Sequence, residues 1–218
     1  MKILKMENVK YNSDNSEILK GISFDVEKGE CISIVGQSGS GKSTLLKIIA
    51  DLLPISGGNI YFNGRLYNSY NLVELRRRIS YCTQIPQLFG NKVAENLEFP
   101  FRIRKEKTDI KRIIELLQRF NLDESYLDSD VDSLSGGEKQ RISIIRNLLY
   151  KPEIILLDES TSSLDTENAM IIEKYIKELN DHGTTVLWIT HSIDQSRRIF
   201  DKRIVISEGR VECVEVLK

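Results

Sequence analysis

The chain has 218 residues, with 31 Lys+Arg against 32 Asp+Glu, a net charge of -1 and 40% hydrophobic residues. That length suits one compact domain with a real core and is too short for two full ones. The balanced charge excludes a surface that grips nucleic acid or an anionic membrane along its whole extent. Apolar runs such as 154–157 and 186–189 are far shorter than a bilayer-spanning helix. In chain order, strands are expected at 4–9, 22–26, 31–35 and 59–62. Between the last two lies a helix over 41–53, where Leu45, Leu46, Ile49 and Leu53 fall at helical spacing. A short Arg-rich helix at 72–78 leads to a strand at 79–83. From about 84 to 150 the pattern is helical, clearest at 110–120 and 136–149. After Pro152, strands at 154–157, 186–190 and 203–207 alternate with helices at 168–180 and 193–200. Strand-helix alternation around a helical insert predicts a mostly parallel sheet with a helical subdomain, the boundaries lying near Gln84 and Pro152.

The start, Met1-Lys2-Ile3-Leu4-Lys5, runs straight into mixed charged and apolar residues, so no secretory leader is expected. Cys31, Cys82 and Cys213 are odd in number, far apart and without CxxC spacing. They read as reduced, mostly packed thiols rather than a disulfide frame or a zinc site.

Residues 36–44 read Gly36-Gln37-Ser38-Gly39-Ser40-Gly41-Lys42-Ser43-Thr44 and satisfy GxxxxGK[ST] between an apolar strand and an amphipathic helix. Glycines let successive backbone N–H groups turn inward around an anion, and the following helix N-terminus adds partial positive charge. Lys42 is expected to reach the β- and γ-phosphate oxygens, and the Ser43 hydroxyl to ligate Mg²⁺. Downstream, Ile154-Ile155-Leu156-Leu157 runs directly into Asp158-Glu159, an apolar strand presenting two acids at its carboxyl end. Asp158 is expected to complete the Mg²⁺ shell begun by Ser43. Glu159, one residue on, is placed to orient and deprotonate a water attacking the γ-phosphate. A kinase or a GTPase owns the same features.

The third motif separates these classes. Leu134-Ser135-Gly136-Gly137-Glu138-Lys139-Gln140-Arg141 opens a helix, with Ser135 as N-cap and Glu138 completing a capping box. Two consecutive glycines are costly for that purpose alone. Ser135-Gly136-Gly137 leaves N–H donors and a helix dipole aimed outward at an anion, more naturally one held by a second copy than by the local loop.

On these residues the sequence resembles the ATP-binding subunits of ABC transporters, whose signature is LSGGQ or a close variant, and the resemblance covers essentially the whole chain. It implies an α/β P-loop NTPase fold of ABC type: a mixed, mostly parallel sheet core, an N-terminal antiparallel β portion and a helical subdomain. One nucleotide-binding domain spans 1–218, with a RecA-like core at about 1–84 and 152–218 and the helical subdomain at about 85–151. It further implies an ATP- and Mg²⁺-dependent ATPase that pairs head to tail with a second copy, each signature meeting the partner copy's ATP. By matching position, Tyr11 lies where an aromatic stacks on adenine. Gln84 matches the glutamine that senses Mg²⁺ and the attacking water and links the helical lobe to the membrane partner. Ser163, Leu164 and Asp165 match the loop at the dimer seam, and His191 the histidine that contacts the γ-phosphate. His182, in the turn Asp181-His182-Gly183, reads as an ordinary turn residue. Glu138 for the usual glutamine and Ser160 for a frequent proline are the departures, and neither removes a needed chemical group.

Stretches outside the shared motifs, among them 80–84, 88–90, 96–100, 141–143, 145–148 and 186–191, resemble the ATPase subunit of Fet-type bacterial iron exporters. The expected partner is a polytopic membrane permease, with this chain peripheral on the cytoplasmic face of the membrane and no direct contact with nucleic acid. The alternative is a soluble ABC-type ATPase acting on nucleic acid or the ribosome. Against it, the stretch between Ser43 and Asp158 is too short for a long coiled-coil insertion, and the length forbids two fused domains. The basic clusters at 76–78 and 102–107 are interleaved with acids, as on solvated or partner-facing helices. A P-loop kinase leaves the 135–137 signature unexplained.

Overall fold

Alternating burial along two long N-terminal strands builds the first sheet. In β1 (Lys2–Ser13), Leu4, Met6 and Val9 point inward and stand opposite Val26, Phe24 and Ile22 of the antiparallel β2 (Ser16–Glu27). β4 (Gly57–Phe62) pairs with the other edge of β1, and the short β5 (Arg65–Leu66) completes the order β2-β1-β4-β5. The computed structural model describes residues 1–13, 16–162, 164–190 and 198–217.

The second sheet has the order β10-β9-β3-β8-β7-β6. β3 (Cys31–Val35), β8 (Thr185–Ile189) and β7 (Ile154–Asp158) run parallel, and β7 and β8 are buried at every position. That is the burial expected of strands covered on both faces, and it explains why their sequences are continuous apolar runs. β9 (Lys202–Ser207) is parallel to β3, β10 (Arg210–Val216) returns antiparallel along β9, and β6 (Ile79–Cys82) lies beyond β7. The mixed, mainly parallel core with an antiparallel N-terminal sheet agrees with the expected fold class. β10 escapes the sequence pattern because it is almost wholly exposed and is held by pairing with β9 instead of by burial.

Helix α1 (Lys42–Ile49) is shorter than the expected 41–53. Asp51 takes a left-handed φ of 56°, its N–H donates to Ile48 O and the Leu52 N–H donates to Lys47 O. These bonds form a Schellman ending, and the Pro54 that follows disfavours further helix. The thiols are as expected, mostly packed. Cys31 and Cys82 are buried and Cys213 is exposed, and all three are free. Burial pushes the Cys82 thiol up to about 12, so it stays protonated.

The described residues fall into two compact units. The first takes in residues 1–81, 152–159 and 179–218: both sheets, α1 and α2 (Leu72–Arg78). Its core joins the inner face of the first sheet to α1 and the parallel strands, with Phe62, Leu45, Ile34 and Leu156 fully buried.

The second unit takes in 82–151 and 160–178, the latter a stretch that the sequence pattern does not separate from its neighbours. It contains α3 (Val93–Arg104), α4 (Ile110–Arg119), α5 (Gly136–Leu148) and most of α6 (Thr166–Asp181). α4 buries Ile113, Leu116 and Leu117 and is N-capped by Asp109, which accepts from the Arg112 N–H. Tyr175 of α6 meets Phe120 edge-on and accepts a hydrogen bond from Arg112, and Arg119 pairs with Glu178. These contacts place α6 with the helical unit. The helix expected at 193–200 lies mostly outside the described residues.

Trp188 of β8 is fully buried and packs edge-on against Phe200. Trp188→Ala is expected to cost about 3–5 kcal/mol, the range for deleting a buried aromatic. Urea unfolding followed by far-UV circular dichroism measures this; an unchanged midpoint would remove Trp188 from the core.

Candidate active site

The cradle forms where β3 runs out of the sheet. Gly36 has a φ of 152°, and a Cβ there would lie 2.0 Å from the Ile206 carbonyl oxygen, so only glycine lets the loop pass the β9 backbone. Gly41, the residue before α1, is left-handed at φ 100°, and a Cβ would press on Leu19 at 2.7 Å. Between them Gln37, Ser38 and Gly39 are exposed, and the Ser40 N–H donates to Gln37 O.

Lys42 is only 5% exposed, and its ammonium donates to the carbonyls of Gly36 at 2.9 Å and Gln37 at 2.8 Å. Burial lowers its pKa, with the negative charges of Glu159 and Asp158 working in the opposite direction. The ammonium is therefore held inside its own loop by neutral acceptors that an anionic oxygen can replace at a gain. The Ser40 hydroxyl is buried without a hydrogen-bond partner among the described residues. An orphaned donor, a buried cation and a helix N-terminus in one loop fit a phosphate chain.

Asp158, at the end of β7 and 2% exposed, faces this loop. Its Oδ1 accepts from the Ser43 hydroxyl at 2.9 Å and its Oδ2 accepts from the Tyr81 hydroxyl at 2.7 Å. Ser43 Oγ and Asp158 Oδ1 are hard oxygen donors in contact, the donor type that Mg²⁺ takes. Glu159 follows in a left-handed conformation, φ 48°, fixed by its N–H donating to Ile189 O on β8. Thr44 is half-buried on the first turn of α1. Tyr11, half-buried on β1 opposite Leu19, packs against the hydrophobic core of the first unit.

The second unit carries the 135–138 signature. The Ser135 Oγ accepts from the Glu138 N–H, and Glu138 Oε2 accepts from the Ser135 N–H, a complete capping box on α5. The other Glu138 oxygen accepts from the Tyr126 hydroxyl. A Cβ at Gly136 would meet nothing, so the start of α5 is open there, whereas at Gly137 it would press on Leu164 at 3.2 Å. The absent side chain of Gly137 thus makes room for Leu164. Asp165 accepts from the Asn168 N–H at 2.8 Å and from its Nδ2 at 2.7 Å, and the backbone bond is the main reason its pKa is lowered. Gln84 is exposed at a bend following β6. Ser163 and His191 lie outside the described residues.

Sequence reasoning passed over three residues here. Tyr81 reads as a core aromatic in a strand, yet it binds Asp158. Gln140 is fully buried on α5 and donates to Thr83 O, the carbonyl just before Gln84. Arg141 donates to Phe120 O, closing α4, and to Asn168 Oδ1, which continues the chain to Asp165. A polar residue inside an apolar helix face is the available signal for the last two, Gln140 and Arg141.

With this geometry in place, the comparisons with known proteins define the class. Residues 19–162 match the family described as "ABC transporter". The chain belongs to the ATP-binding proteins of the ABC transporter family, which are ATPases. The probable iron export ATP-binding protein FetA of Escherichia coli is 43% identical, covering 98% of this chain and 95% of its own length. ABC transporter I family member 17 of Arabidopsis thaliana is 36% identical over 94% of this chain and 78% of that protein. Among solved structures, the ATP-binding cassette MJ0796, described as dimeric in a post-hydrolysis state with ADP and Pi, superposes with a TM-score of 0.88 at 34% identity, covering 99% of both chains. An Atm1-family bacterial ABC exporter with ATP bound gives a TM-score of 0.89 at 27% identity, covering 98% of this chain and 39% of that one.

The Tyr126 bond is the main reason the Glu138 pKa is lowered from 4.5, with the Ser135 bonds next. The same bond raises the Tyr126 pKa from 10.0. The pair's stabilisation is full between those two values. It is lost as the pH falls through the depressed Glu138 value or rises through the elevated Tyr126 value. Tyr126→Phe is therefore expected to destabilise the protein most at mid-pH and least at both extremes. Thermal unfolding of both proteins between about pH 3 and 11 checks the sign; a difference independent of pH would place the energy elsewhere.

Proposed function

We propose that this ABC ATPase drives metal-ion export, with iron as the first candidate, through a polytopic membrane subunit. The single observation that carries the ATP-site reading is the meeting of Lys42, Ser43 and Asp158 at one loop and strand end. The ion assignment is supported by the 43% identity to FetA across nearly the whole chain, the helical unit included. No helix among the described residues is long and apolar enough to cross a membrane. Ile85, Phe89 and Ile103 of the second unit are exposed apolar side chains, as a membrane-subunit contact requires. The soluble alternative has no observation in its favour.

In this reading the loop amides of residues 36–44 and the Lys42 ammonium bind the β- and γ-phosphates. The Ser40 hydroxyl gains an acceptor, and Tyr11 lies under adenine. Ser43 and Asp158 hold Mg²⁺, which when bound neutralises charge on the phosphate oxygens. Glu159 accepts a proton from the water that attacks the γ-phosphorus, the bond to the β–γ bridging oxygen breaks, and ADP and phosphate leave. The open start of α5 at Ser135, Gly136 and Gly137 binds the γ-phosphate held by a second copy, with residues 163–165 at the seam between copies. The roles that resemblance gives to Gln84 and His191 belong to the same proposal.

Lys42→Ala is expected to weaken ATP binding at least tenfold in an equilibrium fluorescence titration, because it removes a charge-assisted bond to phosphate. Wild-type affinity in this variant would overturn the cradle. Glu159→Gln is expected to keep ATP affinity and slow turnover by about 10²–10⁴-fold, the usual contribution of a general base. The same variant should run as a dimer with ATP and as a monomer without it in multi-angle light scattering; a monomer in both conditions counts against the paired arrangement. Co-purification of a polytopic protein from solubilised membranes, and ATP-dependent efflux of iron from vesicles holding both, test the transport assignment.

A further inference from the structure

We propose that Tyr81 is a positioning residue for the metal-binding aspartate, its hydroxyl fixing the orientation of the Asp158 carboxylate. The inference rests on the Mg²⁺ role proposed for Ser43 and Asp158. Asp158 has two oxygens, and among the described residues each has one hydrogen-bond partner. Ser43 Oγ donates to Oδ1 and the Tyr81 hydroxyl donates to Oδ2. A cation held by Ser43 and Asp158 would replace the first bond, since a ligating hydroxyl turns its lone pairs toward the metal. The second bond, on the oxygen not shared with Ser43, would be free to remain. Among the described residues, the Tyr81 bond is then the side-chain hydrogen bond that still opposes rotation of the carboxylate about its Cβ–Cγ bond.

The phenol is suited to this use. Its ring is part-buried against the hydrophobic core of the first unit, so the hydroxyl is delivered by a rigid body, not a flexible side chain. Tyr81 lies in β6, which follows β7 in the sheet order, and a contact between residues 77 apart in the chain is made local by that adjacency. An O–H donor to an ionised carboxylate forms a charge-assisted bond, about twice as strong as a neutral one. Partners of this kind, which orient a ligand without touching the metal, change metal affinity by about 10- to 100-fold when removed. The ring and the hydroxyl are separable: Phe keeps the ring and deletes the hydroxyl.

The test is the thermodynamic coupling between Mg²⁺ and ADP. Calorimetry gives the ADP affinity of the full chain in EDTA and in saturating Mg²⁺, for the wild type and for Tyr81→Phe. The expected result is an unchanged affinity in EDTA, within about twofold, and a Mg²⁺-dependent gain about tenfold smaller than in the wild type. Equal gains in the two proteins overturn the inference. A loss of the same size with and without Mg²⁺ also overturns it, because Tyr81 would then be a structural support of the whole cradle. If the wild type itself shows no Mg²⁺-dependent gain, the metal role of Ser43 and Asp158 fails and this inference falls with it, an outcome distinguishable from a failure at Tyr81 alone.

Discussion

The hydrogen bond between Ser43 and Asp158 ties the phosphate loop to the acidic strand end, and most of the architecture exists to bring those two groups within reach. They belong to segments more than a hundred residues apart, joined only through the sheet. β3 and β7 both run parallel to β8, which lies between them. Their carboxyl ends therefore emerge on one edge, where an open parallel sheet leaves its crevice. The register cannot drift. Ile154, Ile155, Leu156 and Leu157 are fully buried and pair with β8 residue by residue, so a one-residue slip would carry Asp158 away from Ser43. The long apolar runs are thus positional devices as much as core.

Around that bond the site stores unfavourable arrangements. A lysine held at 5% exposure is desolvated, and two carbonyls with two nearby carboxylates compensate it. Glu159 sits at a positive φ, which costs roughly 1–2 kcal/mol for a residue with a side chain. Its bond to Ile189 O on the neighbouring strand holds it there. The Ser40 hydroxyl is buried without a hydrogen-bond partner among the described residues. Each of these fits a phosphate chain, which under the proposed function would meet groups already oriented and already dehydrated. Strain collected at a few adjacent residues, in a fold otherwise regular, is what preorganisation requires.

The legible part of this protein was the part encoded in consecutive residues. Residues 36–44 specify a loop whose glycines, lysine and serine act within one turn of chain, and 154–159 specify a strand and its acids in one run. Capping by Ser135 and Glu138 is equally local. What stayed unread lies between distant segments. Tyr81 has no neighbour in sequence that hints at Asp158, and an aromatic in a strand is explained by packing alone. Leu164 fills the space left by Gly137 across some thirty residues of intervening helix and strand. The grouping of 160–178 with the helical unit depends on the fit of Tyr175 against Phe120, which no periodicity reports. The strand β10 failed for the opposite reason: it carries no burial pattern because pairing, not a core, sustains it.

Helix α5 organises the second unit as the Ser43–Asp158 bond organises the first. Its start is open at Gly136, and its first turn carries Glu138 in a position where the family often has glutamine. A bare carboxylate beside an approaching phosphate would repel it, so the substitution looks adverse. It is not bare. One oxygen accepts from the Ser135 N–H and the other from the Tyr126 hydroxyl, and its charge lies against the positive end of the helix dipole. Further along the same helix, Gln140 fixes the carbonyl before Gln84, and Arg141 fixes Asn168, which holds Asp165. Helix α5 therefore fixes both the backbone before Gln84 and the side chain of Asp165. One short helix with buried polar side chains thus ties together segments far apart in the chain.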